Sequence, residues 1–177
     1  TVTDPMKGEF EKERALKLLQ DEEEQSLKTG NPRMLDVNGL NAEALIRYID
    51  LIADKTTSPF LIDTVTTGAR VATIRHVSEL GLTERCVFNS IGSDTKPEEL
   101  EAIANANIKS AILLLFNKRR PTVEGRLEIL QGTSSTKSLL EVAKEAGIKN
   151  LLVDVSVIDV PDPGPAGADR DRRPGEH

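Results

Sequence analysis

Short apolar runs alternate along this chain with longer stretches in which apolar residues recur every three or four positions. The first kind of segment predicts strands and the second predicts amphipathic helices. The opening stretch reads as one helix from about Lys7 to Lys28, with Phe10, Leu16, Leu19 and Leu27 as its buried positions, ended by Gly30 and Pro32. A strand follows at Met34–Val37, and Asn41 caps a helix over Ala42–Asp54 with Leu45, Ile49 and Ile52 on one face. The next strand is Phe60–Asp63, its helix Thr67–Leu80, stopped by Gly81. Then come a strand at Cys86–Asn89, a helix opened by the capping-box pattern Thr95-Lys-Pro-Glu98 and running to Asn105, and a strand at Ser110–Asn117. Helices at Val123–Leu130 and Thr136–Ala146, the second stopped by Gly147, lead to a last strand, Leu151–Asp154.

Strand alternating with helix implies a parallel sheet with right-handed crossovers. Until the longer last unit the strands start about every 26 residues, a regular period that favours a (β/α) barrel over a doubly wound sheet. No glycine-rich phosphate fingerprint follows any strand, which also weighs against a Rossmann or P-loop fold. The predicted fold class is α/β, a partial eight-fold (β/α) barrel of the TIM type with five parallel strands present. Residues 1–157 form the barrel portion, and 158–177, rich in Pro, Gly, Asp and Arg with almost nothing to bury, read as a disordered tail.

Composition narrows the chemistry. Aromatics are 3% of the 177 residues and Trp is absent, so the core is aliphatic, as in strands covered on both faces. The net charge of −6 argues against nucleic acid as a partner. The one basic cluster, Lys118-Arg119-Arg120, is too short to reverse that, and contact of its arginines with an anionic ligand is the minor reading beside plain surface exposure. Cys86 is the sole cysteine, so no disulfide can form within the chain. With no signal peptide and no apolar run of membrane-spanning length, the expected location is cytoplasmic, free or peripheral to a membrane complex. The first residue is Thr, and the chain reads as beginning inside a longer frame.

The polar residues carry the functional signal. Every predicted strand ends in a short carboxylate or amide, Asp36, Asp63, Asn89, Asn117 and Asp154, spaced by 27, 26, 28 and 37 residues. In a parallel barrel these ends meet at the mouth where active sites lie, and Asn38 joins them. Each alone is most simply a helix cap or turn former. Together, Asp and Asn offer acceptors and paired donors that suit the edge of a flat heterocycle such as an aminopyrimidinone. Mg²⁺ held by two or three Asp is the rival. No zinc site or nucleophilic triad is expected, because His76 lies on a helix away from the mouth, His177 is in the tail, and Cys86 reads as core.

The motifs Leu35-Asp-Val-Asn-Gly39, Leu61-Ile-Asp-Thr64, Phe88-Asn-Ser-Ile91, Leu114-Leu-Phe-Asn117 and Leu152-Val-Asp-Val155 resemble the successive strand motifs of pterin-binding barrels. That group includes dihydropteroate synthase and the methyltetrahydrofolate–corrinoid methyltransferases. Asp4-Pro-Met-Lys-Gly-Glu-Phe10, Thr29-Gly-Asn-Pro-Arg33, Glu43-Ala-Leu-Ile-Arg-Tyr-Ile49 and Pro121-Thr-Val-Glu-Gly125 are similar to the H-subunit family of tetrahydromethanopterin S-methyltransferase, over residues 4–157. The resemblance implies a methyltransferase that moves a methyl group from N5-methyl-tetrahydropterin to Co(I) of a corrinoid (cobalamin) carried on a partner protein. It places pterin contacts on Asp63, Asn89 and Asp154, with Asp36 and Asn38 in the same wall, and catalytic roles on Asn117 and Asp154. It also implies a membrane-associated methyltransferase complex as partner, and the apolar strand edges a partial barrel exposes beside Met34-Leu35 and Leu151–Val153 predict a homo-oligomer. The family's first strand would precede residue 4 and two more would follow 157, so the chain reads as truncated at both ends. The alternatives are a dihydropteroate synthase-like enzyme, or a catalytically incomplete piece that acts only by association.

Overall fold

The structure is a computed structural model that describes residues 2–156; the 158–177 segment read above as a disordered tail lies outside them. The chain opens with a small antiparallel hairpin, β1 (Val2–Asp4) and β2 (Glu9–Phe10), followed by the long helix α1 (Lys12–Thr29). The central sheet has five parallel strands in strict chain order: β3 (Leu35–Asn38), β4 (Phe60–Asp63), β5 (Cys86–Ile91), β6 (Ser110–Leu114) and β7 (Asn150–Asp154). The helices between them are α2 (Ala42–Lys55), α3 (Thr67–Glu79), α4 (Pro97–Ala106), α5 (Val123–Gln131) and α6 (Leu139–Glu145).

Strand order separates the two α/β architectures. A doubly wound sheet reverses direction at a switch point and carries helices on both faces. Here the order never reverses, and one core lies between the helices and one sheet face. Leu35 and Val37, Phe60 and Ile62, Cys86 and Phe88, and Ala111 and Leu113 point into that core, against Leu45 and Ile49 of α2, Ile74 and Val77 of α3, Ile103 of α4 and Ala143 of α6. Alternate residues, in cross-strand register, face the other way into what a barrel makes its interior. Leu61 and Val87 are buried there, apart from the helix-side core. The fold is thus a partial, TIM-barrel-like α/β sheet.

The first helix departs from the expected span. Lys7 lies in the hairpin turn and Phe10 in β2, and α1 starts only at Lys12. Gly8 makes the turn possible: it has φ +65°, and a Cβ there would stand 2.6 Å from the Ala44 Cα. Asn41 serves two elements, capping α2 by accepting from Ala44 N at 2.9 Å and donating its amide to Met6 O at 2.7 Å. α1 has no buried residue, and Leu27, expected inside, is 80% exposed. Of the positions expected inside, Leu19 leans on the core.

Two arginines tie down the N-terminal ends of the strands. Arg33 donates to Ser58 Oγ, Thr56 Oγ1 and Leu19 O, and Arg85 donates to Thr56 O and Ser58 O while lying over the Phe60 ring. Both hold the bend that leads into β4.

Candidate functional site

At the other end of the sheet, register decides which polar side chains meet. Asn38, Asp63 and Asn89 occupy one row across β3, β4 and β5, on the interior face. Asn38 Nδ2 donates to Asp63 Oδ2 at 2.8 Å. That bond ties the two side chains together within the row. Asp36 stands two residues before Asn38 on the same face, level with Leu61. Burial, reinforced by repulsion from Asp63, pushes its carboxyl above the usual carboxylate range. Asp36 and Asn38 also line a groove of about 490 Å³ along the free side of β3, walled by Phe10, Leu19, Met34 and Tyr48.

Asn89 is not at the end of its strand, which continues to Ile91. Between Phe88 and Ile91 β5 holds one residue more than β6 opposite, a bulge that re-aims the chain at the mouth. Asp154 ends β7 on the interior face, in register with Leu114, so β6 stands between it and the Asn38–Asp63–Asn89 row. Its Oδ1 accepts from Ser156 N at 2.7 Å.

Asn117 is placed otherwise than expected. β6 stops at Leu114, and Asn117 lies in the loop beyond. Its Oδ1 accepts from the N–H groups of Arg119 and Arg120 at 3.1 and 3.0 Å, and its amide donates to Gly125 O at 3.0 Å. It organises a turn, the simpler of the two readings open from sequence. With Leu114, Phe116, Lys118 and Arg119 it borders a cavity of about 690 Å³ at the rim. Arg120 is occupied by Glu128.

Two arginines that no sequence pattern singles out support this end. Arg70 of α3 donates to Thr64 O at 2.7 Å, pairs with Glu99 at 3.4 Å and lies over the Phe88 ring. Glu99, 1% exposed, also accepts from Lys96 N at 2.9 Å, closing the reciprocal half of a capping box one residue later than the Thr95–Glu98 pattern suggests. Thr95 instead accepts from Gly92 N. Arg126 of α5, 5% exposed, donates to Val155 O, Pro121 O and Ser156 O. Neither position lies on a strand, so strand-end spacing could not reveal them.

The remaining reactive groups lie elsewhere. His76 bonds Asp50 between α3 and α2 at 2.6 Å. The Cys86 thiol is buried in the core, and desolvation pushes its pKa up to about 12, so it supplies no thiolate. Among the described residues no three His, Cys, Asp or Glu side chains gather as a metal-ligand set, and no helix is long and apolar enough to cross a membrane. The site offers a ledge of carboxylates and amides able to accept from and donate to one edge of a planar ligand.

Comparison with known proteins fits that geometry. The family described as tetrahydromethanopterin S-methyltransferase MtrH subunit matches residues 1–171. The chain is 42% identical over 159 residues to the H subunit of tetrahydromethanopterin S-methyltransferase from Methanopyrus kandleri, covering 88% of this chain and 49% of that protein. It is 38% identical over 158 residues to the H subunit from Methanothermobacter marburgensis, covering 88% and 51%. For the H subunit from Methanocaldococcus jannaschii the identity is 35% over 158 residues, covering 88% and 50%. The chain spans about half the length of these relatives. By its match over nearly the whole sequence, the chain belongs to the MtrH family, the H subunits of tetrahydromethanopterin S-methyltransferase.

Proposed function

We propose that this chain binds N5-methyl-tetrahydropterin at the C-terminal ends of β3–β7 and serves methyl transfer from it to a corrinoid carried by a partner protein, within the tetrahydromethanopterin branch of one-carbon metabolism used in methanogenesis. The observation that carries the reading is the Asn38–Asp63–Asn89 row, with the Asn38–Asp63 bond of 2.8 Å, in a member of this family. A pterin ring presents an N–H and an amino group side by side, and a carboxylate matches that pair of donors. In this reading Asp63 takes the pair with both oxygens, Oδ2 keeping the Asn38 amide on its second lone pair, Asn89 addresses the neighbouring carbonyl and ring nitrogen, and Asp154 meets the ring from across the mouth.

A tertiary amine is a poor leaving group, so N5 needs a proton or a strong hydrogen bond as the methyl group departs. Asp36, its carboxyl raised by burial and by Asp63, holds a proton more readily than an ordinary carboxylate and stands one layer below the row. Asp154 stabilises charge at the ring, and Asn117 shapes the loop that borders it. The partner's corrinoid supplies the nucleophile. The chain's own part is to bind, orient and shield the pterin. Leu152 and Val153 of β7, 48% and 51% exposed, favour association with a further subunit or a second copy.

Calorimetric titration of methyl-tetrahydropterin into the purified chain, with Asp63→Ala alongside, tests the site. Saturable binding that the variant loses is the expected result. A folded chain that binds no pterin would overturn the assignment.

A further inference from the structure

We propose that Arg126 is a positioning residue for Asp154, setting which carboxylate oxygen faces the ligand; the proposal rests on the pterin-site reading for its consequence, though not for its geometry. Arg126 is 5% exposed, and its guanidinium donates to three backbone carbonyls: Val155 O at 2.8 Å, Pro121 O at 3.2 Å and Ser156 O at 3.5 Å. Burying a cation against neutral carbonyls is costly, and an apolar residue would fill the same space more cheaply. The cost goes to a particular piece of backbone. Ser156 sits at φ +57°, a left-handed conformation that a residue with a Cβ adopts only when its surroundings impose it. Its hydroxyl is buried and has no hydrogen-bond partner among the described residues. Nothing that Ser156 itself gains explains this arrangement.

What Arg126 fixes is the peptide plane between Val155 and Ser156, whose carbonyl it holds and whose N–H group points at Asp154. Ser156 N donates to Asp154 Oδ1 at 2.7 Å, which occupies that oxygen and restrains the carboxylate. Arg126 grips the carbonyls on both sides of that N–H, Val155 O before it and Ser156 O after it. Its third bond, to Pro121 O, ties the same turn to the start of α5, where Asn117 already holds Gly125 O. Gly125 is required there, since a Cβ would come within 2.0 Å of Arg120 O. The loop after β6 and the end of β7 therefore move as one piece, and Arg126 is the joint.

The test has two arms, both on the full chain. The first needs no pterin. In the wild type the Ser156 amide proton resonates downfield in its bond to a carboxylate, and Asp154→Asn shifts it upfield. Arg126→Lys, which keeps the charge but cannot reach three carbonyls, is expected to move the Ser156 resonance the same way while the amides of β4 stay in place. An unchanged Ser156 resonance in folded Arg126→Lys overturns the proposal. The second arm measures methyl-tetrahydropterin affinity. Arg126→Lys should weaken it by about tenfold in the wild type and by less than about twofold in an Asp154→Ala background, because the two act through one contact. Equal losses in both backgrounds would mean a merely structural role and overturn the proposal. If the wild type binds no pterin, the pterin-site reading falls, and the amide resonance alone decides the role of Arg126. Should Arg126→Met fold, it is expected to behave as the lysine variant does, more strongly.

Discussion

Replacing Glu99 by Ala should be among the most damaging single changes to this fold, although Glu99 lies outside the polar row. Its carboxylate is 1% exposed and does two jobs, accepting from Lys96 N at the start of α4 and pairing with Arg70. Losing the cap acceptor costs about 1 kcal/mol. Breaking a buried pair by removing one partner costs about 3–5 kcal/mol, because the surviving charge is left uncompensated. Arg70 softens that figure: its side chain is 17% exposed, and it keeps the Thr64 carbonyl and the Phe88 ring. The lower end applies, and Glu99→Ala should cost about 4 kcal/mol in all. Glu99→Gln keeps an acceptor for Lys96 N and should cost about 1–2 kcal/mol. Urea unfolding followed by circular dichroism measures both. The decisive comparison is the double variant Arg70→Met/Glu99→Met, which leaves no orphan charge and should be milder than Glu99→Ala alone. A loss below about 1 kcal/mol for Glu99→Ala, or a double variant as damaged as the sum of its parts, would refute the buried-pair account.

Other expectations follow from single contacts. Asp36 has its folded-state pKa raised, so its ionisation opposes folding, and that penalty is absent below the ordinary carboxylate range and grows as pH rises through it. Asp36→Asn should therefore stabilise the chain near neutral pH by under about 1 kcal/mol, discounted because the group is open to water, and the gain should vanish in acid; thermal melts across pH check this. Gly125→Ala, which drives a Cβ into Arg120 O, should lower stability by about 2 kcal/mol or more and loosen the loop after β6, seen as faster amide exchange there. Cys86 should resist a disulfide reagent in buffer and react only as denaturant unfolds the chain; prompt labelling of the folded protein would contradict its burial.

The strands and helices were legible because each obeys its own period. β4 was placed at Phe60–Asp63 from its apolar run, and the starts of α2, α3 and α5 from Asn41, Thr67 and Val123, as found. The hairpin was not legible: strands of three and two residues are too short for alternation, and the helical pattern of α1 swallowed them. α6 begins at Leu139 after a Ser138–Glu141 capping box, later than the expected Thr136. For the site, strand-end spacing brings Asp63 and Asp154 to the mouth, and register makes Asn38 a direct partner of Asp63. It failed at Asn117, where apolar character continues past the last ladder bond and a strand cannot be told from an apolar loop. Arg70 and Arg126 are not legible because Arg70 pairs with Glu99 and Arg126 holds the backbone after β7, long-range contacts that no local pattern encodes.

Arg33 and Arg85 hold the bend before β4 at the end of the sheet opposite the polar row. This anchoring sits away from that row, so residues at the mouth can change in sequence while the arginine-fastened floor keeps the strands in step. Tolerance to change is built into one end of the molecule because the other end forgoes it.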